Sequence, residues 1–324
     1  MKAAIRYRYG DAQVISIEDK EIPRPREDEI LVRVAATTVN RTDCANLTGK
    51  PWIMHLVVGF RKPRKPVMGT DFSGTVVETG SGIRDFVIGD RVWGFLDIGL
   101  ESQAEYVSIS VKRPIARMPD LFNFREAAAS LEGAHYAYHF INKLPISPGQ
   151  RALVNGATGA IGSAILQFLL YKGVRVSAVC GPDGVDWVKS QGVDRIFDYT
   201  REDFTTSGEK YDFVLDAVGK SRFFKCRTIL NPKGIYISSE LGPGGQNLVF
   251  TLLTPLLGGR RVKFPLPVDV KASMRFVSQL AMEGKFKPLI DRTFALAQAR
   301  EAYAYVLKGQ KLGNVVLDVG NSEA

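Results

Sequence analysis

Two rhythms of apolar and polar positions divide this chain. Up to about residue 120 the apolar residues fall in short β-rich runs, "KAAIRYR", "VISIEDK", "EILVRVAAT", "SGTVVETG" and "DRVWGF". Turn residues punctuate them at Pro23, Pro25, Gly80, Gly82 and Gly89-Asp90. Runs of this length, bounded by glycine and proline, predict strands gathered into a partly closed β domain. From about residue 125 the spacing lengthens. "RALVNGA" (151–157), "VRVSAVC" (174–180), "RIFDY" (195–199), "YDFVLDAVG" (211–219) and "GIYISSE" (234–240) are apolar runs of strand length, separated by helix-compatible segments. The clearest of these, "AIGSAILQFLLYKG" (160–173), ends on a glycine suited to a helix C-terminus. Strands alternating with helices predict a parallel sheet covered on both faces.

The tail returns to the first rhythm. After the helix-like "KASMRFVSQLAMEG" (271–284) come a helix at about 298–308 and one late strand, "NVVLDV". A single late strand pairs most naturally with the N-terminal β domain. The expected division is therefore 1–122 with 290–324 in one domain and 123–289 in the other. The most apolar window, "LVFTLLTPLLGG" (248–259), is too short to span a membrane and is broken by Pro255. It reads as a buried or interface segment.

Composition narrows the classes without choosing among them. At 324 residues, 45% apolar and 24% charged, the chain has the make-up of a globular protein of two domains. A net charge of +9 favours anionic ligands such as nucleotide phosphates. The basic residues cluster locally only at "RKPRK" (61–65), which reads as a solvated loop. Scattered Lys and Arg, with no aromatic-interleaved RNA-recognition motif, argue against nucleic acid as a partner. Cys44, Cys180 and Cys226 are far apart, odd in number and in no metal-binding spacing. With no apolar signal core in "MKAAIRYRYG" and no membrane span, a cytoplasmic location is expected.

The chemistry starts at "LVNGATGAIGSA", where Gly156, Gly159 and Gly162 stand between a strand and a helix. Glycines there permit a tight turn and close approach of backbone amides to a pyrophosphate, and the helix N-terminus adds partial positive charge. Gly156, Ala157, Thr158, Gly159, Ala160, Ile161 and Gly162 are accordingly the expected phosphate cradle. An NAD site usually holds the ribose with an acid at the end of the second strand. No carboxylate occurs from Val176 to Pro182, which favours NADP(H) over NAD(H). Cys180, at that strand end, is counted with the cofactor-binding residues, together with Lys189 and Tyr199, either of which could approach a 2′-phosphate. Asp183 argues the other way unless it caps the helix beginning near Gly184.

The chain resembles the zinc-independent, quinone-oxidoreductase-like branch of the medium-chain dehydrogenase/reductase superfamily. The resemblance rests on "EILVRVAATTVNRTD" (29–43), "GTDFSGTVVETGSGIRDFVIGDRVWG" (69–94), "PGQRALVNGATGAIGSAILQ" (148–167), "YDFVLDAVG" (211–219) and "LGNVVLDV" (312–319). It implies an α/β fold, a GroES-like β domain plus a Rossmann-type doubly wound parallel sheet domain, with NADP(H) in the cleft and commonly a homodimer. It also implies that Val218 and Gly219 lie beside the cofactor. Asn40 and Asp43 match the "VNxxD" pattern at the active-site cleft, Asn40 being expected to act in catalysis. Asn314 stands where relatives carry a lysine near the cofactor.

Zinc-containing relatives place cysteine at the position of Asn40 and histidine at that of Thr70, and four clustered cysteines after "GDRV", where this chain has none. Amide and hydroxyl are poor zinc ligands, so no metal is expected. The resemblance further places Tyr136, in "LEGAHYAYHF" (131–140), near the nicotinamide, as a proton donor or a packing residue. Tyr136 and His139, three apart on a helix, are expected to share a face more readily than Tyr136 and His135. The stretch "KPWIMHLVVGFRKPRKP" (50–66) offers an apolar wall or lid, or a partner contact. The expected activity is metal-free, NADPH-dependent hydride transfer to a small, hydrophobic, electron-poor acceptor, a quinone or α,β-unsaturated carbonyl. The alternatives are an enoyl-thioester reductase of the same class and an NADPH-binding protein with a non-catalytic role in RNA or protein binding.

Overall fold

A computed structural model describes residues 1–320. The chain forms two compact units, Met1–Glu132 with Val270–Ala324, and Gly133–Asp269. The first unit opens with strands β1 (Lys2–Ile5), β2 (Ser16–Asp19), β3 (Glu29–Val39), β4 (Asp71–Thr79), β5 (Arg91–Phe95), β6 (Tyr106–Ser110) and β7 (Ile115–Arg117). Helices α1 (Arg41–Thr48) and α2 (Met54–Val58) bridge β3 to β4, and α3 (Phe124–Ala129) follows β7. Helix α4 (Glu132–Ile141) leads into the second unit, whose strands are β8 (Arg151–Asn155), β9 (Arg175–Cys180), β10 (Arg195–Asp198), β11 (Tyr211–Asp216), β12 (Leu230–Ser238) and β13 (Arg261–Lys263). Between them lie α5 (Ala160–Tyr171), α6 (Val185–Ser190), α7 (Phe223–Cys226) and α8 (Gln246–Leu257). The chain then returns through α9 (Val270–Met282), β14 (Ile290–Ala295), α10 (Ala299–Leu307) and β15 (Asn314–Asp318).

In the second unit six parallel strands take the order β10-β9-β8-β11-β12-β13. Counted from β8, this is the 3-2-1-4-5-6 order of a dinucleotide-binding doubly wound fold. Helix α5 buries nine of its twelve residues, as a mostly apolar sequence requires. Its end follows the expected glycine stop: Gly173 has φ +72°, and the Gly173 and Val174 amides bond the Leu170 and Leu169 carbonyls.

In the first unit β3 is the organising strand. Its 11 residues pair with β4 along one edge, with β6 along Glu29–Arg33 and with β15 along Ala36–Val39. The late strand does rejoin the β domain, antiparallel to β3. Two apolar clusters fill this unit: Phe72, Val76 and Val92 with Ile30 and Val32 in one, and Val315 and Leu317 with Leu47, Ala302 and Tyr303 in the other.

Three expectations need correction. The units divide at residues 132/133 and 269/270, not at 122/123 and 289/290. Helix α3 stays with the β domain because Ala128 and Ala129 pack against Ala36 of β3 and Val316 of β15, and α9 groups with the returning segment. The window 248–259 is not buried. As part of α8 it exposes Leu248, Val249, Leu252, Leu253, Leu256 and Leu257, with Leu256 82% exposed. Nor does Asp183 cap α6, whose N-cap is Gly184 with no side-chain bond.

Because β15 closes the sheet on β3, its buried side chains should carry large stability effects. Leu317→Ala is expected to cost about 2–5 kcal/mol, the range for truncating a buried leucine. Equilibrium denaturation should read this as a lower midpoint.

Candidate functional site

The glycine loop lies in the second unit and each glycine has its own reason. Gly156 adopts φ +78°, and a Cβ there would stand 2.3 Å from the Val218 side chain. The Gly156 and Ala157 amides both bond the Val179 carbonyl at 3.0 Å, which ties the loop to β9. At Gly162 a Cβ would meet the Gly156 carbonyl oxygen at 2.0 Å, so only glycine lets α5 pack onto its own turn. Gly159 differs. It is the N-cap of α5, its φ is −73°, and a Cβ would touch only the Gly156 oxygen, at 3.5 Å. No side chain caps this helix, and its first i→i−4 bond is Ser163 N–H to the Gly159 carbonyl at 2.8 Å. The amides of Ala160, Ile161 and Gly162 therefore precede the helical ladder, at the positive end of a 12-residue helix. Such a terminus fits the pyrophosphate of a dinucleotide.

Around this cradle the expected residues separate. Thr158 is buried against Gly184, where a Cβ would come 2.4 Å from its methyl group. Tyr199 is exposed and lays its hydroxyl over Gly181, just beyond the end of β9. Lys189 is exposed in the last turn of α6. The Cys180 side chain points into the protein, and burial pushes its thiol up to about 11, so it offers no reactive thiolate to a ligand. Asp198, which the sequence reading overlooked, sits in register with Cys180 and accepts bonds from Thr200 N and Oγ1 at 2.9 and 2.7 Å. Its pKa is lowered by those bonds.

The Val218–Gly219 turn hangs from another residue the sequence reading missed, the fully buried Asp216. One carboxylate oxygen accepts from Asn155 Nδ2 and Gly219 N at 3.0 Å and from Val218 N at 3.3 Å. The other accepts from Ser221 N and the Tyr236 hydroxyl, both at 3.0 Å. Burial, and then Asp216, push the Tyr236 phenol up, so it donates as a neutral group.

Tyr136 also belongs to this unit, half-buried on α4. His139 lies one turn from His135 with ring centroids 4.8 Å apart, and both imidazoles are buried. Burial, then His139, lowers His135 to about 4, and burial lowers His139 as well. Both are held neutral, and they fill space more than they titrate.

The first unit contains the positions that carry zinc in metal-dependent relatives. Asn40 is 2% exposed and caps α1 in a reciprocal box, accepting from Asp43 N at 2.8 Å while Asp43 accepts from Asn40 N at 3.2 Å. Its amide nitrogen points to Thr70 Oγ1 at 2.8 Å, Asp71 Oδ2 at 3.0 Å and Thr38 Oγ1 at 3.2 Å. Every polar atom of Asn40 is thus used within the protein. Asn40 thereby positions the start of α1. Asn314 is likewise taken up structurally, its Nδ2 donating to the Leu289 carbonyl at 3.0 Å. Lys311, three residues earlier, approaches the buried Glu132, which also accepts from Thr42 Oγ1 at 3.1 Å.

Asp71 is fully buried and accepts from Thr38 N at 2.7 Å, Thr38 Oγ1 at 2.5 Å, Thr37 Oγ1 at 3.1 Å and Asn40. Burial pushes it up to about 6 against those hydrogen bonds. Burial, and then Asp71, raise Asp43 well above the usual carboxylate range. This donor set does not fit a zinc ion. Amide and hydroxyl stand in place of imidazole and thiolate, and their hydrogens are committed to one another. Among the described residues no three His, Cys, Asp or Glu side chains come together to hold a metal.

A GroES-like β unit joined to a dinucleotide-binding unit with an uncapped glycine cradle defines a class of nicotinamide-dependent oxidoreductases. The alcohol dehydrogenase GroES-like domain family matches residues 26–120, and the zinc-binding dehydrogenase family matches residues 191–317. Both domain families are those of the medium-chain dehydrogenase/reductases, and the chain is similar along its length to quinone-oxidoreductase-like proteins of that kind. It is 28% identical to a chloroplastic quinone oxidoreductase of Triphysaria versicolor, over 95% of each chain. It is also 28% identical to the chloroplastic NADPH-dependent alkenal/one oxidoreductase of Arabidopsis thaliana, over 98% of this chain and 79% of that one. The solved structure of the quinone oxidoreductase from Coxiella burnetii superposes with a TM-score of 0.87 at 25% identity, covering 99% of both chains. Among the described residues no helix is long and apolar enough to cross a membrane.

Asp71 gives the site a pH signature. Its folded pKa of about 6 lies above its ordinary 3.8, so between the two the folded chain keeps a proton the unfolded chain has released. Stability from this group is full below the ordinary value and is lost as pH rises through about 6. Denaturation midpoints of Asp71→Asn compared with the native chain should diverge across that window and run parallel above it.

Proposed function

We propose that the chain is an NADPH-dependent, metal-free oxidoreductase that delivers hydride to a quinone or to the electron-poor carbon of an α,β-unsaturated carbonyl. The observation that carries this reading is the uncapped N-terminus of α5 at Gly159, inside the strand order of a dinucleotide fold. When bound, the cofactor supplies the hydride. The amides of Ala160, Ile161 and Gly162 bind its pyrophosphate. Asp216 fixes the Val218–Gly219 turn against which the cofactor rests. Tyr199 and Lys189, both exposed, serve the adenosine end, and the lack of a carboxylate at the end of β9 suits a 2′-phosphate. Substitution of Asn40 and Thr70 for metal ligands removes the Lewis acid on which alcohol oxidation depends, leaving acceptors already activated toward hydride. Relatives named for quinones and for alkenals and alkenones support that substrate range. The Tyr136 hydroxyl is the chain's own candidate for the accompanying proton.

Assembly follows from the same reading. The exposed leucines of α8 flank β13, the open edge of the six-stranded sheet, and β13 and α8 pack together. A second copy of the chain fits this face, because an edge strand beside an apolar helix can extend its sheet while covering the leucines.

NADPH and NADH oxidation should be measured against a panel of quinones, enones and enoyl thioesters, with metal analysis on the same sample. NADPH-dependent turnover without bound zinc is expected; stoichiometric zinc, or no turnover with any acceptor, would reject the reading. Tyr136→Phe is expected to lower kcat by about 10²-fold, as loss of a positioned general acid does. A drop below about tenfold, roughly 1.4 kcal/mol, would hand the proton to water. For assembly, the double variant Leu252→Asp/Leu256→Asp is expected to shift the mass in light scattering from dimer to monomer.

A further inference from the structure

A buried guanidinium in the first unit faces a cavity unrelated to the glycine loop. Arg6 follows β1 and is held on two sides. Ile5 pairs with Val67, and the Arg6 amide donates to the Pro66 carbonyl at 2.9 Å. Arg6 is 4% exposed, yet among the described residues its side chain's only hydrogen bond runs from Nη2 to the Asn46 carbonyl at 3.0 Å, and Nε has no partner. Among the described residues no carboxylate forms an ion pair with it, although the nearby Asp43 acts on it electrostatically. The Oδ1 atom of Asn46, itself 6% exposed, is also unpartnered, since its amide nitrogen donates to the Asp97 carbonyl at 3.1 Å. Both side chains line a cavity of about 130 Å³ with Arg64 and Lys65 beside them. One water needs roughly 10–15 Å³ of such space, so the cavity takes a group of several heavy atoms.

A buried cation without a counter-charge is costly, and a buried donor without an acceptor adds to the cost. We propose that this cavity is a binding site for a small oxyanion, a carboxylate or phosphate group met by the guanidinium groups of Arg6 and Arg64. The neighbouring charges were weighed for both signs. Lys65 is engaged with Glu101 at 2.8 Å, so its charge is largely matched. Asp43 also lines the cavity, but burial and Asp71 raise its pKa, which reduces its repulsion of an anion. Asp43 and Asn46 stand three residues apart on one face of α1, so the cavity backs directly onto the Asn40–Asp71 cluster. Val58 and Ile98 add an apolar wall, which suits a carboxylate on a short hydrocarbon stem.

Isothermal titration calorimetry of the full chain tests this with two probes, inorganic phosphate and butyrate, each against chloride at matched ionic strength. Each titration is repeated with saturating NADPH, which removes any contribution from the glycine loop. Saturable binding of at least one probe is expected to persist with NADPH. It should weaken by at least about tenfold in Arg6→Met, as for loss of a charged hydrogen-bond partner. Arg64→Ala changes an exposed rim residue and should weaken it by about threefold, keeping the test decisive if Arg6→Met does not fold. Phosphate binding alone would assign a tetrahedral oxyanion, and butyrate binding a carboxylate with an apolar stem. No saturable heat from either probe, binding abolished by NADPH, or affinity unchanged in the folded variants would overturn the proposal.

Discussion

The first unit depends on one buried carboxylate that has hydrogen-bond donors in place of a counter-ion. Asp71 opens β4 and takes bonds from Thr37, Thr38 and Asn40 at the end of β3. Removing one partner from such a group would leave a buried charge short of donors, at a cost of several kcal/mol if it cannot relax. The two strands are therefore fixed in register where β3 gives way to α1. From there the consequences run outward in order. Asn40 is placed to cap α1, the cap sets Asp43, and Asn46 follows one turn further on, where its carbonyl holds Arg6.

The second unit solves the same problem with the same device. Asp216, at the end of β11, gathers two side chains and three backbone amides onto its oxygens, which folds Val218–Ser221 into a defined turn. A turn held by three amide bonds to one carboxylate has little freedom, and Gly219 supplies the left-handed conformation, φ +65°, that it needs. In both units a buried aspartate converts a strand end into a fixed functional loop. Polar networks of this kind are valuable only when complete, because each unsatisfied member costs what the others contribute.

What could be read from sequence was what local geometry dictates. Gly156 and Gly162 declare themselves because a positive φ and a backbone contact admit no other residue, and both constraints act within seven positions of the chain. The late strand "NVVLDV" was legible from its apolar run, whereas β14, which pairs with it in parallel, was missed because its sequence "IDRTFA" carries no such run. The engagement of Asn40 with Thr70 and Asp71 was not legible, because those partners lie about thirty residues away and motif position does not show which amides are already committed. Asp216 and Arg6 were missed for the same reason: their roles exist only through contacts between distant segments. The domain boundary moved because alanines 128 and 129 look neutral in sequence and become specific only against Ala36 and Val316.

The polar cluster around Asn40 also bears on how chemistry can change within one fold. A zinc site needs ligands with lone pairs aimed at a common point. The residues here aim hydrogens at one another instead, Asn40 Nδ2 toward Thr70 and Asp71, and the Thr38 hydroxyl toward Asp71. Restoring a single ligand, Cys at 40 or His at 70, would break that network before it could bind metal, since each supplies or receives bonds the others require. The identities of Asn40, Thr70 and Asp71 are therefore coupled. Thr70 and Asn40 instead form, with Asp71, a closed hydrogen-bonded structure that sets the position of α1.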